Sequence, residues 1–356
     1  MPLCYVSTAI KHAIRCQVFI IILLLSCLNK ECVLKIFRKN QFLRSLMLLP
    51  VALLLNINVL INPSAVNILH HSRIDGMLES FRLDMPILHW ITLSLIFFAA
   101  AILINRMVII NRLSNSITLY PGLFFIVLIS AFPVFGAVSS LTISTVLLLL
   151  LLSNLMYINA RSGVVDKIFN VGLYLGLMGL LFMPQLIFFF MIVASVNMLT
   201  TVKRRTVFNL INGTLIPFFL IGLAVLLYAD QITDFKAMYA NQFGFVNFSV
   251  PQSVEQWVTL VVIILYVLLV LLTYNSVISK KSIQSIRKIN VLSFTILFVI
   301  MIHLISGIQS LHTLVLLMPV FAFYTAEGVL KFKKETNAEL ILILLVILGI
   351  VMPFVG

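Results

Sequence analysis

The residues of this chain best suited to chemistry crowd into one short connection. Between two apolar runs, residues 62–86 carry His70, His71, Arg73, Asp75, Glu79, Arg82 and Asp84, and His89 follows at the start of the next run. A carboxylate among arginines can act as a base while the guanidinium forks hold phosphate oxygens. Asp75 or Glu79 is the candidate base, and Arg73 and Arg82 are the candidate phosphate ligands. An enzyme acting on a lipid-linked sugar needs this set, because a polyprenyl carrier presents its pyrophosphate at the membrane interface. Ile74, Met77, Leu78 and Phe81 recur at helical spacing between the charges, which predicts an amphipathic helix lying in the interface with its charged face solvated. Glu79 and Arg82 are three apart and can pair on that helix. An interfacial helix with a solvated face would need no chemistry to explain it.

Other constellations are weaker. The connection 229–256 has Asp230, Asp234 and Lys236, then Phe235, Tyr239, Phe243, Phe245 and Phe248. Such aromatics usually anchor to headgroups, and a sugar-stacking platform is the functional alternative. His70, His71, His89, His303 and His312 map to the same face as the first loop, but no helical HxxxH spacing joins them, so no metal is expected. No phosphate loop of the GxxxxGK[ST] type exists and no cofactor is expected. All four cysteines (Cys4, Cys16, Cys27 and Cys32) precede Val33, without CxxC spacing. Asn56, Asn58, Gln185, Asn197 and Asn212 read as interhelical hydrogen bonds, and Glu327, one turn from Lys331, can snorkel toward the cytoplasmic interface. No acidic or basic residue sits at an expected midplane, which disfavours an ion-coupled carrier.

The elements that must position these groups are transmembrane helices. Of 356 residues, 62% are hydrophobic and only 10% charged, whereas a soluble domain carries about 25% charged residues. The apolar runs are 45–61, 87–104, 120–136, 141–158, 171–183, 185–202, 210–228, 257–274, 291–306, 314–330 and 340–355. Backbone groups in hydrocarbon must be satisfied within each segment, so the fold class is all-α, a polytopic bundle of about 11 spans. The net charge of +13 would suggest nucleic acid in a soluble protein. Here the basic residues fall at alternate connections, with only Arg73, Arg82 and Lys236 on the other face. The positive-inside rule then puts the amino terminus of the first span in the cytoplasm and Gly356 in the periplasm. The bilayer is the expected partner, and nucleic acid is not.

Residues 171–202 form one apolar stretch, about 48 Å long as a single helix and too long for a hydrocarbon core of about 30 Å. Pro184 disfavours continuity, so two short helices turning at Met183-Pro184-Gln185 are expected, either spanning twice or re-entrant. Gly172, Gly176 and Gly179 supply a small face for helix packing. Residues 1–32 stand apart as an uncertain extension. Lys11 and Arg15 precede the short run Val18–Leu28 like a signal peptide, and Leu24-Leu25-Ser26-Cys27 is like a lipoprotein cleavage box. A true start at Val33 on a GTG codon explains the segment equally well. Residues 33–356 are expected to form a single transmembrane domain.

From Val33 onward the chain resembles a family of polytopic membrane proteins from Bacteroidota that carries a domain-of-unknown-function label. The likeness lies in Leu34-Lys35-Ile36-Phe37-Arg38-Lys39-Asn40, Lys167-Ile168-Phe169-Asn170-x-Gly172, Pro184, Lys203-Arg204-Arg205 and Gly213-Thr214-Leu215-x-Pro217. Members often have Asp where this chain has Asn170, which puts a catalytic role there in doubt. The resemblance implies the inner membrane of a two-membrane bacterium and no particular activity. Three functions fit these observations. The first is a scaffold or assembly component of a cell-envelope complex, partnered by other envelope membrane proteins. The second is a periplasmic-face enzyme acting on a lipid-linked glycan, of polymerase, ligase or glycosyltransferase type. The third is a transporter or lipid flippase gated by the 171–202 hairpin.

Overall fold

The computed structural model describes residues 33–38, 42–61, 73–158, 164–200, 203–227, 242, 254–279, 281–306, 311–332 and 335–352. The amino-terminal extension with its cysteines, His70 and His71, and the charged and aromatic residues of the 229–256 connection lie outside them.

The described chain is helical throughout, as its apolar runs require. After short helical turns at Val33–Phe37 and Phe42–Leu46 come α1 (Leu48–Leu55), the turn Ile57–Ile61, α2 (Arg73–Asp84) and α3 (Pro86–Ile110). There follow α4 (Tyr120–Ser130), α5 (Ser140–Met156), α6 (Val164–Leu181), α7 (Phe188–Leu199) and α8 (Arg204–Leu227). The carboxy-terminal part contributes α9 (Val254–Ile278), α10 (Ile283–Ile305), α11 (Met318–Val329) and α12 (Glu335–Val351). The 3₁₀ turns Pro133–Phe135, Met183–Ile187 and Leu311–Leu317 complete the described helical elements. Five stretches are long and apolar enough to cross a membrane: Pro86–Ile110, Arg204–Ala224, Gln256–Ile278, Ile283–Ile305 and Leu311–Val329. The other apolar helices are shorter, so the eleven runs all map to helices without each being long enough to span alone.

The core forms around α4 and α11. Residues 120–129 are buried without exception, and α4 packs on α1, α3, α11 and α12. A helix apolar on every side needs cover on every side, either protein or lipid. Among the described residues two helices have little protein cover: Arg204–Ala224 and Gln256–Ile278 are only 17% buried, against 94% for Leu311–Val329. Phe219, Leu227, Leu271 and Leu272 project outward from them.

The first run is interrupted where an unbroken helix was expected. Asn56 caps α1, its side-chain amide donating to the Ala52 carbonyl at 2.8 Å while its oxygen accepts from Ser130 Oγ at 3.2 Å. Of the asparagines and glutamines expected to bridge helices, Asn56 does so. Gln185 is fully buried, and its side-chain amide has no hydrogen-bond partner among the described residues.

Pro184 breaks the 171–202 stretch as expected. Phe182 is extended (φ −155°, ψ 105°) and Pro184 sits in the first turn of the 3₁₀ segment, where its missing N–H costs nothing. The two arms do not lie along one another, however. The first, α6, packs on α5 and α8, whereas α7 packs on α10. Glycine explains the α6–α8 crossing. A Cβ on Gly172 would lie 3.1 Å from the Gly213 Cα and inside contact distance of the Leu210 carbonyl oxygen, and one on Gly213 would strike the Phe169 carbonyl. Only hydrogen at both positions lets the two backbones meet this closely.

Chain reversal sorts the charges. Phe37, Asn111–Leu119, Lys281–Lys288 and Lys331 meet at one end of the bundle, tied by Leu119 N–H to the Phe37 carbonyl (3.0 Å) and Lys288 Nζ to Asn111 Oδ1 (2.9 Å). Asp75, His89 and Val138–Ser140 meet at the opposite end. The basic connections therefore share one end, as the charge pattern requires.

Candidate functional site

The predicted helix in the 62–86 connection is present as α2, but part of its charged side is buried. Asp75 and Arg82, seven residues apart and hence on one face, are 1% and 2% exposed, while Met77 is 64% exposed. Leu78 packs on the core and Phe81 on His89 as an amphipathic helix requires, and Asp84 stays exposed. The reason for the burial of Asp75 is a set of partners that lies outside α2 altogether.

Those partners are at the start of α5. An α-helix leaves its first N–H groups without intrahelical acceptors. Ser139 takes one, its Oγ accepting from Thr142 N–H at 3.2 Å. Asp75 takes another, with Oδ1 accepting from Ser140 N–H at 2.8 Å and Oδ2 from Ser140 Oγ at 3.0 Å. A carboxylate at a helix N-terminus is also favoured by the positive end of the helix dipole. One turn outward the backbone is held again, since Val138 N–H donates to His89 Nε2 at 3.1 Å, which places the ring proton on Nδ1. Phe81 meets the His89 ring edge-on at 6.4 Å. Asp75 and His89 thus clamp residues 138–140 from α2 and α3.

Glu79 and Arg82 make the expected pair, at 3.4 Å. Burial pushes the Arg82 guanidinium below its ordinary pKa, and the Glu79 carboxylate opposes that shift. Arg73 opens the same helix, and its side chain lies outside the described residues. The structure therefore gathers Asp75, Glu79 and Arg82 on one short helix, with Asp75 engaged by the backbone of α5. At the same end of the bundle, His303 Nδ1 and Thr313 Oγ1 are 2.6 Å apart. No three His, Cys, Asp or Glu side chains converge among the described residues.

Sequence reasoning missed Ser139 and Ser140. The signal was there in Ser139-Ser140-x-Thr142, a hydroxyl run directly before an apolar stretch and a helix-capping pattern. What no local pattern supplies is that the acid meeting it comes from residue 75.

The basic end is built on the complementary plan. The last carbonyls of α3 are taken locally, Met107 by Asn111 N–H, Val108 by Leu113 N–H and Ile109 by Arg112 N–H, and the segment 281–288 holds the reverse turn that follows. Lys281 Nζ donates to the Leu113 carbonyl, Ser285 Oγ to the Arg112 carbonyl at 3.1 Å, and Lys288 to the Asn111 side chain. Lys281 also pairs with Glu327 at 2.7 Å, with side chains 3% and 7% exposed. Lys331, one turn from Glu327, reaches Ser276 Oγ with its Nζ at 2.5 Å. No family model, curated protein or solved structure matches the chain.

Proposed function

We propose that this chain is a multi-pass protein of a bacterial inner membrane, with the basic end in the cytoplasm, and that it serves as a scaffold or assembly component of a cell-envelope complex. Its eleven apolar runs thread or enter the bilayer in this reading, with α6 and α7 as a splayed pair. The observation that carries it is the use made of the outward polar residues. The carboxylate best suited to act as a base, Asp75, has both oxygens engaged by Ser140, and His89 holds the neighbouring backbone. A general base must offer an oxygen to the proton it takes, and both Asp75 oxygens already accept from Ser140 at the start of α5. The apolar ridges of α8 and α9 give such a protein surface for lipid and for neighbouring helices.

A second reading, a periplasmic-face enzyme on a lipid-linked glycan, is favoured by one specific pair. Glu79, with its side chain 21% exposed, stands beside Arg82, which puts a carboxylate next to a phosphate-binding group. The test is purification at native abundance after in-cell crosslinking, alongside complementation by Glu79→Gln. The scaffold reading expects a stoichiometric membrane-protein partner and a functional Glu79→Gln variant. A chain recovered alone, together with loss of function in Glu79→Gln at normal protein levels, would replace it with the enzyme.

A further inference from the structure

Some cations at the basic end are engaged and others are not. Lys281 and Lys288 donate into the end of α3, and Lys331 reaches Ser276. By contrast, the side chains of Lys203, Arg205 and Arg287 make no hydrogen bond or ion pair among the described residues, and all three are exposed. They line one cavity of about 820 Å³, within the size range of small-molecule sites. Arg287 comes from the first turns of α10, and Lys203 and Arg205 flank the start of α8, so two distant segments bring like charge to one place.

We propose that this cavity binds a phosphate group. Converging cations repel one another unless an anion lies between them, and no carboxylate is among the lining residues. Arginine forks match phosphate oxygens two at a time, while lysine adds a point charge. The first turn of α8 opens on the same space, so the positive end of its dipole adds to the field. Asn197, Thr200 and Thr206 supply neutral donors around the cations.

The rest of the lining says what carries the phosphate. Val165 of α6, an exposed residue, and Met198 and Leu199 of α7 are apolar members of the same lining as the cations. A lining of cations and apolar residues suits an amphiphile, with the headgroup on the cations and the chain along the apolar residues. A phospholipid and a soluble phosphate compound present the same group to the cations, and only the lipid gains from the apolar residues. The inference does not depend on the scaffold reading, because it concerns residues at the opposite end of the bundle from Asp75.

The experiment is native mass spectrometry of the full chain in detergent. It is titrated in parallel with phosphatidylglycerol, phosphatidylcholine and inorganic pyrophosphate. The wild-type chain is expected to retain phosphatidylglycerol over phosphatidylcholine. The combined variant Lys203→Gln, Arg205→Gln and Arg287→Gln is expected to lose roughly tenfold in that retention, about what the loss of several charge-assisted hydrogen bonds allows. A control variant, with Lys35, Arg38 and Arg44 changed to Gln, removes the same charge from the same end and is expected to bind like wild type. Displacement of the lipid by pyrophosphate identifies a soluble phosphate compound as a competent occupant, and resistance to displacement identifies the lipid. Equal retention by wild type and triple variant, or equal loss in the control, overturns the site. If the triple variant does not fold, Arg287→Gln alone carries the test: a partial loss of phosphatidylglycerol is expected, and undiminished binding is the overturning result.

Discussion

The two ends of this bundle solve the same problem with opposite charges. Near Asp75, a helix begins and its bare N–H groups need acceptors, so an acid is buried against them. Near Lys281, the chain reverses just past the end of α3 and the turn's own polar groups need donors, so one ammonium meets the Leu113 carbonyl and another the Asn111 side chain. Each charge sits where the helix dipole favours it. The difference lies in the kind of partner. Lys281 is paired with the Glu327 carboxylate as well as held by backbone, and it lies 5.8 Å from the centre of the Phe323 ring. Asp75 accepts from the backbone N–H and the hydroxyl of Ser140. A buried ion pair is a device that fails badly when half of it is removed, whereas a helix cap degrades gradually, so the comparison can be broken by experiment.

The largest effect is expected from Lys281→Met. It leaves Glu327 buried without its cation and the Leu113 carbonyl without its donor, and removing one member of a buried pair costs about 3–5 kcal/mol. The unfolding midpoint in detergent should fall steeply. Adding Glu327→Met should restore much of the loss, since two apolar side chains of similar volume can replace a buried pair at little net cost. No recovery in the double variant would show that the carbonyl contact, rather than the ion pair, holds this end together.

The cap at the other end should be weaker. Asp75→Asn keeps the shape, loses the charge, and turns an amide toward at least one of the two Ser140 donors. A hydrogen bond to a charged group is worth about 1.5–3 kcal/mol, so a loss of about 2 kcal/mol is expected, smaller than for Lys281→Met. Measured by the same unfolding assay, a larger loss at Asp75 than at Lys281 would invert the comparison. A neutral result would mean that the acid is not serving as a cap.

These pairings mark the boundary of what could be read without the structure. Helix positions followed from apolar runs, the break at Phe182 from Pro184, and a close-packing face from Gly172 and Gly176, because each depends on neighbours in sequence. That α8 meets this face, through Gly213, did not. Nor did the burial of Asp75 and Arg82, since Ser140 lies 65 residues from Asp75. Periodicity places residues on a face but does not say which of them meet the bundle. Glu327 was read as snorkelling toward the interface, while its partner Lys281 is 46 residues distant. The basic segments were legible as topological signals, but the difference between engaged and open cations was not, because it depends on which of them meets a carbonyl.

The smallest expected effect tests how the basic end tolerates strain. Arg112 has φ 52°, the left-handed region, among the described residues the one non-glycine with positive φ. It occupies the position after the α3 C-cap, with its N–H donating to the Ile109 carbonyl at 3.2 Å and the Leu113 N–H to the Val108 carbonyl at 3.0 Å. This reverse turn normally takes glycine. A residue with a Cβ costs about 1–2 kcal/mol there, and glycine returns part of that as lost chain entropy, about 0.5–1 kcal/mol. Arg112→Gly is therefore expected to stabilise the chain by about 0.5–1 kcal/mol relative to Arg112→Ala, which loses the same charge but keeps the strain. Equal unfolding midpoints for the two variants would mean that the turn relaxes when the arginine is removed. The clamp by Ser285 on the Arg112 carbonyl and by Lys281 on Leu113, which both variants keep, would then not be what holds the backbone left-handed.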